Sequence, residues 1–95
     1  VSVYVDNERI PLGRMKICHM MADTEEELHN MADTIGIGRH WFQNRRVPHY
    51  DICRKRRAQA IRAGAVEIDR KQTVELIRRH DWLNKTTRKS QVESE

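Results

Sequence analysis

Val1, Val3 and Val5 alternate with Ser2, Tyr4 and Asp6, and alternation with period two predicts a strand over 1–6. Residues 7–14 interrupt it with Pro11 and Gly13, and the Met-rich stretch over 15–21 predicts a second strand. Thr24 with Glu27 three residues later forms a capping box, and three consecutive acids suit the positive end of a helix. Leu28, Met31, Ala32 and Ile35 then recur at helical spacing until Gly36. Residues 37–43, including Trp41 and Phe42, read as a third strand, and a polar loop over 44–48 leads to His49, Tyr50 and Asp51. Asp51 is the expected N-cap of a helix over 52–63 ended by Gly64. A short fourth strand over 66–68 precedes a second capping pair, Asp69 with Gln72, and a helix over 70–81 with Val74 and Ile77 turned inward.

The order β-β-α-β-α-β-α, with two βαβ crossovers, predicts an α/β fold: a small mixed or parallel four-stranded sheet flanked by three helices. From Lys85 onward only Val92 is apolar, so one domain over 1–84 and a disordered polar tail over 85–95 are expected.

A chain of 95 residues buries a modest core. No apolar run approaches the ~18 residues of a membrane span, and no signal-peptide pattern opens the sequence. A cytoplasmic protein with no membrane partner is therefore expected. Cys18 and Cys53 form no CxxC pair, and burial as free thiols fits a reducing compartment better than a disulfide does.

Charge changes the picture more. The net +4 divides unevenly: residues 1–38 carry three basic and seven acidic side chains, whereas 39–57 carry seven basic and one acidic. Such a concentration attracts nucleic acid, nucleotides or an acidic protein surface. Trp41, Phe42 and Tyr50 lie in or beside this segment, a pattern suited to base stacking. On a wheel of 52–63, Arg54 and Lys55 face outward while Arg57 falls within the apolar arc beside Cys53 and Ile61. A guanidinium there needs a partner. A salt bridge to Asp51 or Asp23 and a phosphate contact both satisfy it.

One phrase occurs twice: His19-Met-Met-Ala-Asp23-Thr24 returns as His29-Asn-Met-Ala-Asp33-Thr34. The first copy precedes the helix and starts it, and the second lies inside, where His29 and Asp33 share a face. The copies are expected to do different jobs, with His29 and Asp33 as surface or packing residues.

In open α/β sheets ligands collect beyond the carboxyl ends of parallel strands. If the second and third strands are parallel, His19, Asp23, His49, Tyr50 and Asp51 reach one edge. Asp6 joins them only if the first strand is parallel too, and a tight hairpin over 7–14 would send it to the other end. His19, Asp23, His49 and Asp51 are the candidate divalent-metal ligands or acid–base groups, though capping roles for Asp23 and Asp51 explain those two equally. No Walker loop or GxGxxG occurs, and no serine or cysteine has a triad-like setting.

The phrases "VYVD", "HMMADTEEELH", "WFQ", "HYD" and "AGAVEIDR" resemble, in order, the small bacterial and phage domain of unknown function 4031, over about residues 3–77. The family pattern gathers around His19, Asp23, Trp41, Gln43, His49, Tyr50, Asp51 and Arg57. The resemblance implies a stand-alone cytoplasmic protein of bacteria or phages and carries no established activity. The expected function is binding of a phosphate-bearing ligand, nucleotide or nucleic acid, by Arg57, Tyr50, Trp41, Gln43, Arg54 and Lys55. Metal-assisted phosphodiester chemistry at the His/Asp residues would accompany it. The rival is a non-catalytic phage accessory or host-inhibitory module whose basic segment meets an acidic protein partner.

Overall fold

A computed structural model describes residues 2–45 and 47–79. The expected tail over 85–95, the last residues of the helix expected over 70–81, and Arg46 lie outside the described residues. Strands β1 (Val3–Val5), β2 (Ile10–Leu12) and β3 (Met15–Ala22) are followed by α1 (Glu25–Thr34), a 3-10 turn (Arg39–Trp41) and β4 (Phe42–Gln43). Then come β5 (His49–Cys53), α2 (Arg54–Arg62), β6 (Val66–Glu67) and α3 over 70–79.

The sheet is mixed and has six strands rather than four, in the order β4-β5-β3-β1-β6, with β2 also on β3. Among the described residues only β1 and β6 pair in parallel; β3 is antiparallel to β1, β2 and β5. The crossovers read from sequence exist, but antiparallel strands lie between the strands they join. β3 and β4, both antiparallel to β5, run parallel as the second and third strands were expected to, but His49–Cys53 is a further strand returning between them, so the expected common edge does not form.

Alternation along the strands gives the sheet two different faces. Val3, Val5, Cys18, Met20, Tyr50 and Ile52 form the main core with Leu28 and Ala32 of α1 and Ala60 of α2. On the opposite face Met21 packs with Ile68 and with Leu76 of α3, beside Tyr4 and Val47. Leu76, not Val74, is the buried anchor of α3, and Val74 is exposed. Among the described residues no helix is long and apolar enough to cross a membrane. Both cysteines are free, and burial pushes the Cys18 thiol up to about 11.

Three local expectations change for identifiable reasons. The segment 7–14 is a hairpin arm: β2 returns on β3 through Gly13, whose φ of 61° suits glycine. The strand expected over 37–43 shrinks to two residues because α1 uses the chain beyond it. Ile37 N–H bonds Ala32 O at 2.8 Å and Gly36 N–H bonds Asp33 O at 3.2 Å, a Schellman closure with Gly36 at φ 79°. Asp51 does not cap α2. It lies inside β5, where Tyr50 and Ile52 point into the core, and Cys53 occupies the N-cap position without a side-chain bond.

Candidate metal centre

The site begins with a flaw in a ladder. β1 and β3 pair so that Val5 faces Met20, and the next pair is Asp6 with His19, whose carbonyl accepts the Asp6 N–H at 3.1 Å. In such a hydrogen-bonded antiparallel pair the return bond runs from His19 N–H to the Asp6 carbonyl. Here it ends instead on the Asp6 carboxylate, at 2.9 Å. The Asp6 carbonyl accepts from Arg57 Nε at 2.8 Å. The cause is a register change. Ile10 faces Ile17, so three residues, 7–9, stand opposite Cys18 alone, and the bulge turns the Asp6 peptide out of the ladder.

Asp6 is 2% exposed, and its second oxygen accepts from His19 Nδ1 at 2.7 Å. Burial works to raise this carboxyl, but bonds from the His19 ring, the His19 N–H and the Glu8 N–H outweigh it and hold the group below its ordinary 3.8. The same ring contact, against opposing burial, raises His19 above 6.5. With Asp6 ionised, Nδ1 carries the proton, so in the neutral ring Nε2 keeps its lone pair.

β5 supplies the other two groups. His19 faces Asp51 across the β3–β5 ladder, and His49 lies two residues from Asp51 on the same face. His49 Nδ1 donates to Val47 O at 2.8 Å, so its Nε2 is also the free nitrogen. The two lone pairs converge on one carboxylate oxygen: His49 Nε2 lies 3.4 Å and His19 Nε2 3.8 Å from Asp51 Oδ1. The rings meet edge to face with centroids 5.3 Å apart, and one ligand atom from each residue falls within 4.8 Å of the others. Two donors held ~2.1 Å from a tetrahedral ion stand roughly 3.4 Å apart. The three ligand atoms, within 4.8 Å of one another, stand close to that spacing. His19 is 30% and Asp51 36% exposed, so the ligands are reachable from solvent.

The other candidates are elsewhere. Asp23 lies four residues beyond His19, roughly 13 Å along the strand. There it accepts Ser2 N–H at 2.8 Å and the Tyr4 hydroxyl at 3.1 Å, with Arg79 at 3.7 Å. Tyr50 is fully buried and bonds His29 Nδ1 at 2.7 Å. Gln43 instead stands opposite His49 in the β4–β5 ladder, and with Trp41 and Asp51 it lines a second groove. Arg57 is buried, pairing Glu67 at 3.2 Å besides holding Asp6. Arg54 is half-buried, its Nη1 without a hydrogen-bond partner among the described residues, and Lys55 is exposed. Asp33 pairs with Arg39 at 2.8 Å.

Beside the centre opens a cleft of about 370 Å³, bounded by His19 and His49, by Met21 and Val47, and by Val74 and Ile77 of α3. Arg45 and Arg70 stand at its sides. Arg45 belongs to the basic segment 39–57 and Arg70 ends the phrase "AGAVEIDR", but only the fold brings the two together.

Fold and site define a small mixed-sheet α/β protein with a two-histidine, one-aspartate cluster on one sheet face. The chain belongs to the family described as protein of unknown function (DUF4031), whose model matches residues 3–80. No curated protein and no solved structure gave a match.

Proposed function

We propose that the protein binds a divalent cation through His19, His49 and Asp51 and uses it on a phosphate-bearing ligand, with phosphoester cleavage as the chemistry. The observation that carries this reading is the convergence of both Nε2 lone pairs on the Asp51 carboxylate, each imidazole locked by an Nδ1 partner. Metal-ligating histidines are oriented by such carboxylate and carbonyl acceptors. Two imidazoles favour a first-row transition cation over magnesium or calcium. Three protein ligands leave coordination positions for water and substrate. A cation held there would polarise a phosphoryl oxygen and lower the pKa of a bound water. Asp6 fixes the proton on His19 Nδ1.

The rival reading, a module docking an acidic protein through the basic segment, has less support. Arg39 is tied to Asp33, Arg56 to the Ile35 carbonyl at 2.7 Å, and Arg57 is buried. The test is zinc and manganese titration of chelator-stripped protein, followed by hydrolysis of bis(4-nitrophenyl) phosphate. One equivalent of metal, lost in His49→Ala with the fold intact, supports the reading. Equal binding in that variant refutes it.

A further inference from the structure

We infer that the cleft beside the centre takes a small organic phosphate with an aliphatic body, not a nucleic-acid strand. This rests on the metal reading above and narrows its ligand class. Three observations carry it. The volume, about 370 Å³, is near the lower end of small-molecule sites, ~300–1,000 Å³. The apolar part of its lining is made by Met21, Val47, Val74 and Ile77. Lastly, Arg45 and Arg70 make no side-chain hydrogen bond or ion pair with any described residue, so both guanidinium groups are available to an anion. With a divalent cation in place, Arg45 and Arg70 outweigh Asp51, Asp6 and Glu8 and leave the cleft net positive, which suits a phosphate anion.

A strand of nucleic acid needs other features. Sequence-tolerant binding uses aromatic platforms along a basic groove. Tyr50 is in the core, Trp41 faces the other groove, and the cleft has no aromatic ring besides its imidazoles among the described residues. Three of the segment's seven basic residues, Arg39, Arg56 and Arg57, are also committed within the fold. Density of arginine in the sequence does not become density on one surface.

The experiment is calorimetry on the full chain, first with zinc alone and then on zinc-loaded protein with hexyl phosphate, inorganic phosphate, hexanoate and a twelve-nucleotide oligothymidylate. Hexyl phosphate is expected to bind at least tenfold more tightly than any of the other three. Across an alkyl series affinity should rise by up to about fourfold per methylene until the apolar lining is covered. Arg45→Gln and Arg70→Gln, both at exposed positions, should each weaken hexyl phosphate about tenfold and leave zinc binding unchanged. Val74→Asn should flatten the chain-length dependence. Failure to bind zinc would remove the metal reading and this inference together. Zinc binding with tighter oligothymidylate, or with hexyl phosphate no better than inorganic phosphate or hexanoate, would overturn the inference alone.

Discussion

Asp6→Asn separates the two duties of the residue on which the site rests. Asparagine is nearly isosteric, and its carbonyl oxygen can still accept from the His19 and Glu8 N–H groups, now at 2.9 and 3.3 Å. Its NH2 then faces His19 Nδ1, 2.7 Å from the present carboxylate oxygen. Two donors cannot share that contact, so Nδ1 must become the acceptor and the proton moves to Nε2. The lone pair that faces Asp51 is lost. Removing such a partner costs 10–100-fold in metal affinity, about 1.4–2.8 kcal/mol. Replacing a charge-assisted bond by a neutral one costs the fold only about 1 kcal/mol, a fall in Tm of roughly 4–8 °C. The assay is zinc calorimetry at neutral pH, with nitrogen NMR of the His19 ring to read the tautomer. A folded variant with wild-type zinc affinity would refute the reasoning, as would a variant whose ring keeps its proton on Nδ1.

His29→Ala should leave metal binding unchanged while stranding the buried Tyr50 hydroxyl, which costs about 1–3 kcal/mol. Asp33→Ala, at an exposed pair, should change neither metal titration nor melting. Loss of metal in either folded variant would return the second phrase to the site. For the metal-free protein, the lowered Asp6 contributes stability above its unfolded 3.8, lost as pH falls through the folded value. The raised His19 contributes fully below 6.5, lost as pH rises through its folded value. The difference in Tm between wild type and Asp6→Asn should therefore peak between these limits and shrink on the alkaline side in chelator. With saturating zinc it should grow with pH instead, because the metal needs neutral imidazole. A pH-independent difference in chelator would contradict the coupling.

What was legible in the sequence was local. Thr24 and Glu27, Asp69 and Gln72, and the glycine after α1 act through chemistry that spans a few residues, and each appears where the pattern put it. His19, His49 and Asp51 were legible as chemistry but for the wrong geometrical reason. Parallel carboxyl ends were expected to collect them, whereas antiparallel register does so in the middle of a face. The tract 49–53 misled because Ile52 and Cys53 fit a helical arc as well as a strand, and only the neighbouring β3 decides between the two periods. The place of Asp6 was open, because the sequence did not fix the direction of the first strand relative to β3. β3 continues to Ala22, so an antiparallel partner brings Asp6 to His19 and carries Asp23 away. Arg45 was legible only as part of the basic segment 39–57, and its pairing with Arg70 across one cleft had no local signal.

The bulge is the step at which fold becomes site, and it can be tested directly. A regular β1–β2 arm would place one residue opposite Cys18, not three, so deleting Asn7 and Glu8 makes the register continuous from Asp6–His19 to Ile10–Ile17. The His19 N–H would then return to the Asp6 carbonyl, as regular pairing requires. The carboxylate would no longer be drawn under the ring by a backbone bond, and Arg57 Nε would lose its carbonyl. The hairpin becomes shorter and better paired, so secondary structure should survive. Zinc affinity should nevertheless fall at least tenfold, because His19 loses its fixed proton acceptor. Glu8→Gln serves as the control for lost charge and should bind zinc as wild type does. If the deletion variant folds and binds zinc normally, the bulge is only a loop, and the hold of Asp6 on His19 must come from packing alone.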